Sequence, residues 1–484
     1  MQQRKTRLDN LVEKAALTAR NEGRSVLVSA CEQIAAVDPL ALLESIDYAL
    51  MPERMFWSEP REALAFAAAG AVYTFEHSGP GRFSETDREL NDVLRDAIID
   101  GVPDQRGAGP IVVGGFAFDA DGPRSETWEG FGSSRLFLPT ALVTSGNGES
   151  WLTLNLLVDV NGETSMSTRS LAQIADRLAD GSPTGFDTVP DPTGRMIFSG
   201  DDSSYASVVS QAISAIRSGE FDKVVLARSV NAQSESDIDA FAVIRSLRAV
   251  HTGAFVFGIW SNDKVFAGAS PELLVQQDRG EVRASSLAGT IERGQTADHD
   301  TSLARQLEAS AKDRAEHAAV RDALFAALTE SCDNVVAPET PVILSLSNVH
   351  HLHTPLKATL RDGKSLLDLV ERLHPTPAVG GTPRAAALEF IKQNEELDRG
   401  WYAAPVGWIG RSSGEFAVAL RSALIRGEQA TLYAGCGIVM DSDPEMEVEE
   451  SNLKLHAMKS ALTASLARSR ESAEVATASD RSRK

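Results

Sequence analysis

Apolar positions along this chain follow two alternating rhythms. A period of three to four residues marks LDNLVEKAALTAR (8–20) and RSLAQIADRLA (169–179) as amphipathic helices. Short apolar runs, LAFAAAGAVYTF (64–75), IVVGGFAF (111–118) and WLTLNLLVDV (151–160), read as strands joined by Gly, Pro and Ser turns. Further on, helical SSYASVVSQAISAIRSG (203–219) feeds strand-like KVVLARSV (223–230), then the strand runs AFVFGIW, KVFAGA, ELLVQQ and EVRASSLAG. One helix is expected over LARQLEASAKDRAEHAAVRDALFAALTE (303–330) and another over EMEVEESNLKLHAMKSALTASLA, starting near Pro444. Thr382 and Pro383 read as N-cap and first residue of a helix PRAAALEFIKQ.

The polar, proline-containing stretch DGSPTGFDTVPDPTGRM (180–196) is the clearest punctuation. It divides an N-terminal part, 1–195, from a second part, 196–468, and SRESAEVATASDRSRK (469–484) is expected to be a disordered tail. The N-terminal half shows few convergent polar groups. There is no internal repeat and no glycine-rich phosphate loop of either common spacing.

Composition narrows the function classes. With 484 residues, 43% of them hydrophobic and 24% charged, the chain has the balance of a globular protein with a large core. A net charge of −21 without any basic block argues against a nucleic-acid partner and against an anionic membrane surface. The three cysteines, Cys31, Cys332 and Cys436, lack CxxC spacing, so neither a disulfide framework nor a zinc site is indicated. No signal-peptide core or membrane-spanning apolar run is present, and a cytoplasmic location is expected.

The candidate chemistry begins with carboxylates. In a helix starting near Pro444, Glu447 and Glu450 lie three apart on one face, with Lys454 four beyond Glu450. AKDRAEH places Asp313 and Glu316 on one face of another helix in the same way. Two such pairs are the right donors for a hard cation such as Mg2+, which takes one or two direct carboxylates and fills its octahedron with water. A helix's preference for acids in its first turn is the favoured explanation of a single pair, and spacing alone does not bring the helices together, so from pattern alone the cation is the lesser reading.

The motifs KVVLAR (223–228), SPELL (270–274), LAGT (287–290), KDRAEH (312–317), VHHL (349–352), LHPTPAVGG (373–381), VALR (418–421), GCGIV (435–439) and the glutamate stretch occur in one order over the C-terminal half. Together they resemble the chorismate-utilising enzyme family, which includes isochorismate and salicylate synthases and the large subunits of anthranilate and aminodeoxychorismate synthases. The resemblance implies an α+β fold of two large antiparallel sheets packed as layers with helices outside, both halves contributing. It implies Mg2+ held by Glu316 and Glu447, with Glu450 as ligand or water-holder and Asp313 as a weaker candidate. Lys223, where ammonia-using relatives carry glutamine, is implied as the general base on water, and Glu272 as the general acid for the departing hydroxyl. On a strand, Lys223, Val225, Ala227 and Ser229 share one face, which leaves room beside the lysine.

Substrate contacts follow from the same resemblance. Lys454 and Thr290, with the metal, are expected at the ring carboxylate, and Arg421 and Tyr402 at the enolpyruvyl carboxylate, where a guanidinium makes a two-pronged contact. Gly289 and Gly437 permit close backbone approach, and His351, Ala378 and Val379 line the pocket. Ala288 stands where aminodeoxychorismate synthases often place a nucleophilic lysine, so no glutamine amidotransferase partner is expected. The implied reaction is the reversible, Mg2+-dependent move of a hydroxyl from the 4- to the 2-position of chorismate, feeding menaquinone or siderophore synthesis, in a monomer or homodimer. Further elimination of pyruvate to give salicylate, an ammonia-using reaction, and a non-catalytic binding role are the alternatives.

Overall fold

The structure is a computed structural model that describes residues 1–101, 105–123, 125–179, 195–345 and 349–481. The punctuation at 180–196 therefore lies outside the described residues but for its last two.

Strand-forming runs pair into one long, almost wholly antiparallel ribbon. Its centre is the strand Ser134–Gly146, which binds Ala65–Phe75 along one edge and Val112–Phe116 along the other. From Ala65–Phe75 the ribbon continues through Arg54–Ser58, Phe255–Ser261, Lys264–Ser270, Ser422–Arg426 and Gln429–Ile438 to Lys223–Ser234. From Val112–Phe116 it continues through Pro405–Ile409, Ser413–Val418, Leu273–Asp278 and Glu281–Glu292 to Val349–Leu360. These two arms are the expected layers, hydrogen-bonded into one sheet through the shared strand.

The layers close on a common core because inward positions of both arms are apolar. Phe66 meets Trp408 edge-on across the layers, with ring centroids 6.3 Å apart, and Trp57, Phe257, Phe266 and Phe416 are fully buried beside them. Burial of this order contributes roughly 1.5–3 kcal/mol per large side chain. Strands of the first 195 residues thus pair directly with strands of the remainder, and both halves build one body.

That interface also corrects the reading of the N-terminal half as poor in convergent polar groups. Arg106 lies over Trp408 and bridges Glu59 to Glu415, whose carboxylate also accepts from Trp57 Nε1 at 3.1 Å and Gln276 Nε2 at 2.6 Å. The partners come from distant parts of the chain, so no sequence window reveals them.

Three local expectations change. The helix expected over 303–330 is two, Ala297–Ala309 and Ala311–Thr329, because Ser310 turns extended (φ −67°, ψ 112°) and caps the second helix by accepting from Asp313 N at 3.2 Å. Thr382 is not a cap: it pairs with Lys223 in a two-residue strand, and helix Arg384–Asn394 starts behind Pro383 without a side-chain cap. The last helix runs Pro444–Arg481, continuing through residues 469–481 that composition assigns to a disordered tail. Once nucleated and docked, a helix extends at the cost of one residue per hydrogen bond.

Candidate active site

One cavity of about 170 Å3 is lined by all fifteen residues singled out above: Lys223, Glu272, Gly289, Thr290, Asp313, Glu316, His351, Ala378, Val379, Tyr402, Arg421, Gly437, Glu447, Glu450 and Lys454. The strand Lys223–Ser234 forms one wall, with Lys223, Val225 and Ala227 facing inward as its two-residue period requires. Gln429–Ile438 lies beside it, Gly437 opposite Val225. A Cβ on Gly437 would sit 2.7 Å from Lys223 Cε, so this glycine creates the space the lysine occupies. Gly289 adopts φ +75° at a bulge in Glu281–Glu292, which turns Thr290 opposite His351.

Lys223 is buried, and its Nζ donates to Glu316 Oε1 at 2.5 Å. Glu272 sits on the link between strands Lys264–Ser270 and Leu273–Asp278, 5% exposed, with no described residue hydrogen-bonding its carboxyl group. Burial raises its pKa to about 7, against the opposing pull of the Lys223 and Arg421 charges. A group that is half protonated at neutral pH is what a general acid has to be.

Arg421 stands at the corner between Ser413–Val418 and Ser422–Arg426 with φ +50°, an uncommon conformation for a residue with a side chain. Among the described residues its guanidinium has neither a hydrogen bond nor an ion pair, and burial lowers its pKa. A cation held in this way calls for an anionic ligand. Tyr402 is buried beside it and stacks on Tyr433 at 5.4 Å. His351 Nδ1 lies 3.2 Å from the Gly289 carbonyl and 2.9 Å from Thr290 Oγ1, while Nε2 has no partner among the described residues. A carbonyl only accepts, so Nδ1 carries the proton and Nε2 offers a lone pair; burial, with Arg421 nearby, lowers the pKa to about 3 and keeps the ring neutral.

The acids divide by helix. Glu447 and Glu450 project from the first turns of Pro444–Arg481 and, with Cys436 Sγ, bring ligand atoms within 4.8 Å of one another. Burial and then the Glu450 charge raise the Glu447 pKa, whereas Lys454, 2.7 Å from Glu450, lowers that of Glu450. Two carboxylates this close, one of them raised by the charge of the other, fit a hard divalent cation. Cys436 does not fit one: burial raises its pKa to about 12, so it stays a thiol. Glu316 is turned to Lys223, and Asp313 exchanges hydrogen bonds with Ser310, the helix cap, so the four expected ligands share the cavity without forming one cluster. Glu445 and Glu449 lie off the cavity, as their position on the helix requires.

Sequence reading missed Lys312 and Arg399 on the cavity wall, and Glu395 behind it. Arg399 and Glu395 form a buried pair, Nε to Oε1 2.6 Å and Nη2 to Oε2 2.7 Å. Arg399 also donates to the Val225 and Val379 carbonyls at 2.7 and 3.0 Å, and Glu395 accepts from Ala227 N at 3.0 Å. The pair thus pins the Lys223 strand to the 374–380 loop. Removing one partner strands a buried charge, so Arg399→Met is expected to cost about 3–5 kcal/mol in denaturant-monitored unfolding; a loss below about 1 kcal/mol would contradict the pinning role. The only signal in sequence was an i,i+4 opposite-charge spacing.

A buried carboxylic acid and a lysine in one cavity, with a guanidinium unpaired among the described residues and a carboxylate cluster, define an acid–base enzyme site for a small anion. The sequence profile of the chorismate binding enzymes matches residues 11–463, and the chain belongs to that family. It is 38% identical over 461 residues to the salicylate biosynthesis isochorismate synthase of Pseudomonas aeruginosa, covering 93% of each chain. It is 35% identical over 450 residues to isochorismate synthase MenF of Bacillus subtilis, covering 92% of this chain and 95% of that one. The solved menaquinone-specific isochorismate synthase MenF of Escherichia coli superposes with a TM-score of 0.75 over 92% of this chain and 100% of that one; at 24% identity this speaks for the fold alone. No described helix is long and apolar enough to cross a membrane.

Proposed function

We propose that this chain is an isochorismate synthase that converts chorismate and isochorismate reversibly, with water attacking C2 as the C4 hydroxyl leaves. The observation that carries the reading is Glu272, a buried acid raised by that burial to about neutrality, in the cavity that also holds Lys223. Lys223 takes the proton from the attacking water, and Glu272 gives its proton to the departing hydroxyl. In the reverse direction the same two groups exchange roles. Both ends of the substrate have partners of the right charge: Arg421 and Tyr402 for the enolpyruvyl carboxylate, Lys454 and Thr290 for the ring carboxylate. The neutral His351 accepts a hydrogen bond from a substrate hydroxyl at Nε2.

Glu447, Glu450 and Glu316 would hold Mg2+, with Asp313 as an outer contact. When bound, the cation supplies charge neutralisation at the ring carboxylate. Ala288, with no nucleophile to offer, and Lys223 in place of a glutamine favour water over ammonia. An amidotransferase partner is therefore not needed.

The two relatives named above are isochorismate synthases of salicylate biosynthesis and of the MenF type, and either downstream use suits the product. Purified protein incubated with chorismate and Mg2+, with products resolved by chromatography, is expected to yield isochorismate in a chorismate equilibrium mixture. Direct accumulation of salicylate and pyruvate would replace this reading by a salicylate synthase. Ammonium-dependent formation of a fluorescent aromatic amine would replace it by an ammonia-using enzyme.

A further inference from the structure

The strand Lys223–Ser234 has a second face. Its two-residue period turns Lys223, Val225 and Ala227 to the cavity, so Arg228 leaves from the back of the strand. There it reaches two helices, Asp202–Arg217 and Pro444–Arg481. Arg228 is 6% exposed; Nη1 donates to Ser451 Oγ at 3.2 Å and Nη2 to Asp202 Oδ1 at 2.5 Å, and the guanidinium lies 5.6 Å from the centre of the Tyr205 ring. Its Nε has no acceptor among the described residues. The strand that presents Lys223 on one face thus grips the helix of Glu447 and Glu450 from the other.

Ser451 is a position where such a grip matters. It follows Glu450 directly, lies between Glu447 and Lys454, and is fully buried. The helix's main anchor in the apolar core starts only at Leu455, which packs with Met458, Ala461 and Leu462 into one cluster. In the turns before it, Met446 and Leu453 are exposed and Val448 is only half-buried. Polar contacts hold those turns to the sheet: Arg228 on Ser451, the Cys436 thiol on the Glu447 carbonyl at 3.5 Å, and Lys454 Nζ on the Gly435 carbonyl at 2.9 Å. Of these three, the Arg228 contact is the one that comes from the Lys223 strand.

That contact adds little to stability. A buried guanidinium loses its hydration, one of its donors is unsatisfied, and its charge partner Asp202 is 58% exposed. Nor would its loss strand a buried partner, because Ser451 Oγ still donates to the Val448 carbonyl at 2.7 Å and Asp202 keeps its water. We propose that Arg228 is a positioning residue for the cation site, which fixes Glu447 and Glu450 relative to Lys223 by holding Ser451. The proposal rests on the reading of Glu447 and Glu450 as Mg2+ ligands.

The test titrates Mg2+ by calorimetry into the full-length parent, Arg228→Met, Ser451→Ala and the double variant, a measurement that needs no turnover. Methionine fills the guanidinium's place beside Tyr205, and the thermal midpoint of Arg228→Met is expected within about 3 °C of the parent. Mg2+ is expected to bind each single variant roughly tenfold more weakly, the lower end of the range for residues behind metal ligands. The double variant is expected to bind it no more weakly than Arg228→Met, as two changes at one contact require. In chorismate turnover the Mg2+ concentration for half-maximal rate is expected to rise by the same factor, with kcat at saturating Mg2+ within about threefold of the parent. Parent-like Mg2+ affinity in the single variants, or losses that multiply in the double variant, overturns the positioning role. A midpoint lowered by about 10 °C or more alongside the weaker binding overturns it in favour of a general structural role. If Arg228→Met does not fold, Ser451→Ala decides by the same affinity. A parent that binds no Mg2+ overturns the cation reading and this proposal with it, whereas parent binding with indifferent variants overturns the proposal alone.

Discussion

Glu272→Gln is expected to lower chorismate turnover by about 10^2–10^4-fold, the range for loss of a positioned general acid. The amide keeps the shape of the side chain but has no acidic proton for the leaving hydroxyl. The same environment fixes the pH dependence. Burial raises Glu272 from 4.5 to about 7, so the acid form predominates below pH 7 and is lost above it. In the unaltered protein kcat/KM is expected to fall as pH rises through about 7, by roughly tenfold per unit once fully in that limb; Glu272→Gln is expected to lack this limb. Stability follows the same preference for the protonated group. With a folded pKa above the unfolded one, the stabilising contribution of the protonated group is full below about pH 4.5 and lost as pH rises through 7. A shift of this size is worth about 3 kcal/mol, so Glu272→Gln should gain that much relative to the parent between pH 5 and 8 in urea unfolding. A variant with full activity, or one without this pH-dependent gain, would remove the acid from the mechanism.

Lys223→Met is expected to lower turnover by a similar factor of about 10^2–10^4 while chorismate affinity changes by less than about tenfold. Methionine fills the space beside Gly437 and Val225 but cannot accept a proton from water. The 2.5 Å contact with Glu316 adds a second consequence. A lysine held by a carboxylate is a poor base, so the role proposed for Lys223 requires Glu316 to be engaged elsewhere, and Glu316 is among the proposed cation ligands. Removing the ammonium removes a competitor, and Mg2+ titrated into Lys223→Met is expected to bind more tightly than to the parent. Turnover within tenfold of the parent would end the assignment of Lys223 as base; unchanged or weaker Mg2+ binding would end the competition.

Local signals reached far into the fold and the site. Alternating apolar runs placed the strands LAFAAAGAVYTF and KVVLARSV, because side chains on a strand repeat every two residues whatever the strand pairs with. The i,i+3 pairs Asp313/Glu316 and Glu447/Glu450 each share a helix face, and all four line the cavity. What failed was competition between local preferences. Ser310 interrupts an apolar period that runs through it, because a serine satisfies free N–H groups better than it continues a helix. Thr382 has a capping side chain but is taken by strand pairing with Lys223.

The sequence by itself determined which elements form, which residues share a face, and, through the order of its motifs, that the chain belongs to the chorismate binding enzymes. Those are properties of short windows and of their succession. Tertiary structure alone decided that Glu272 is enclosed enough to hold a proton near pH 7, that Glu316 rests on Lys223 rather than among the other acids, and that Glu395 and Arg399 tie the Lys223 strand to the 374–380 loop. The reason is physical: burial and Coulomb interaction depend on what surrounds a group in space, and a sequence window records only what precedes and follows it.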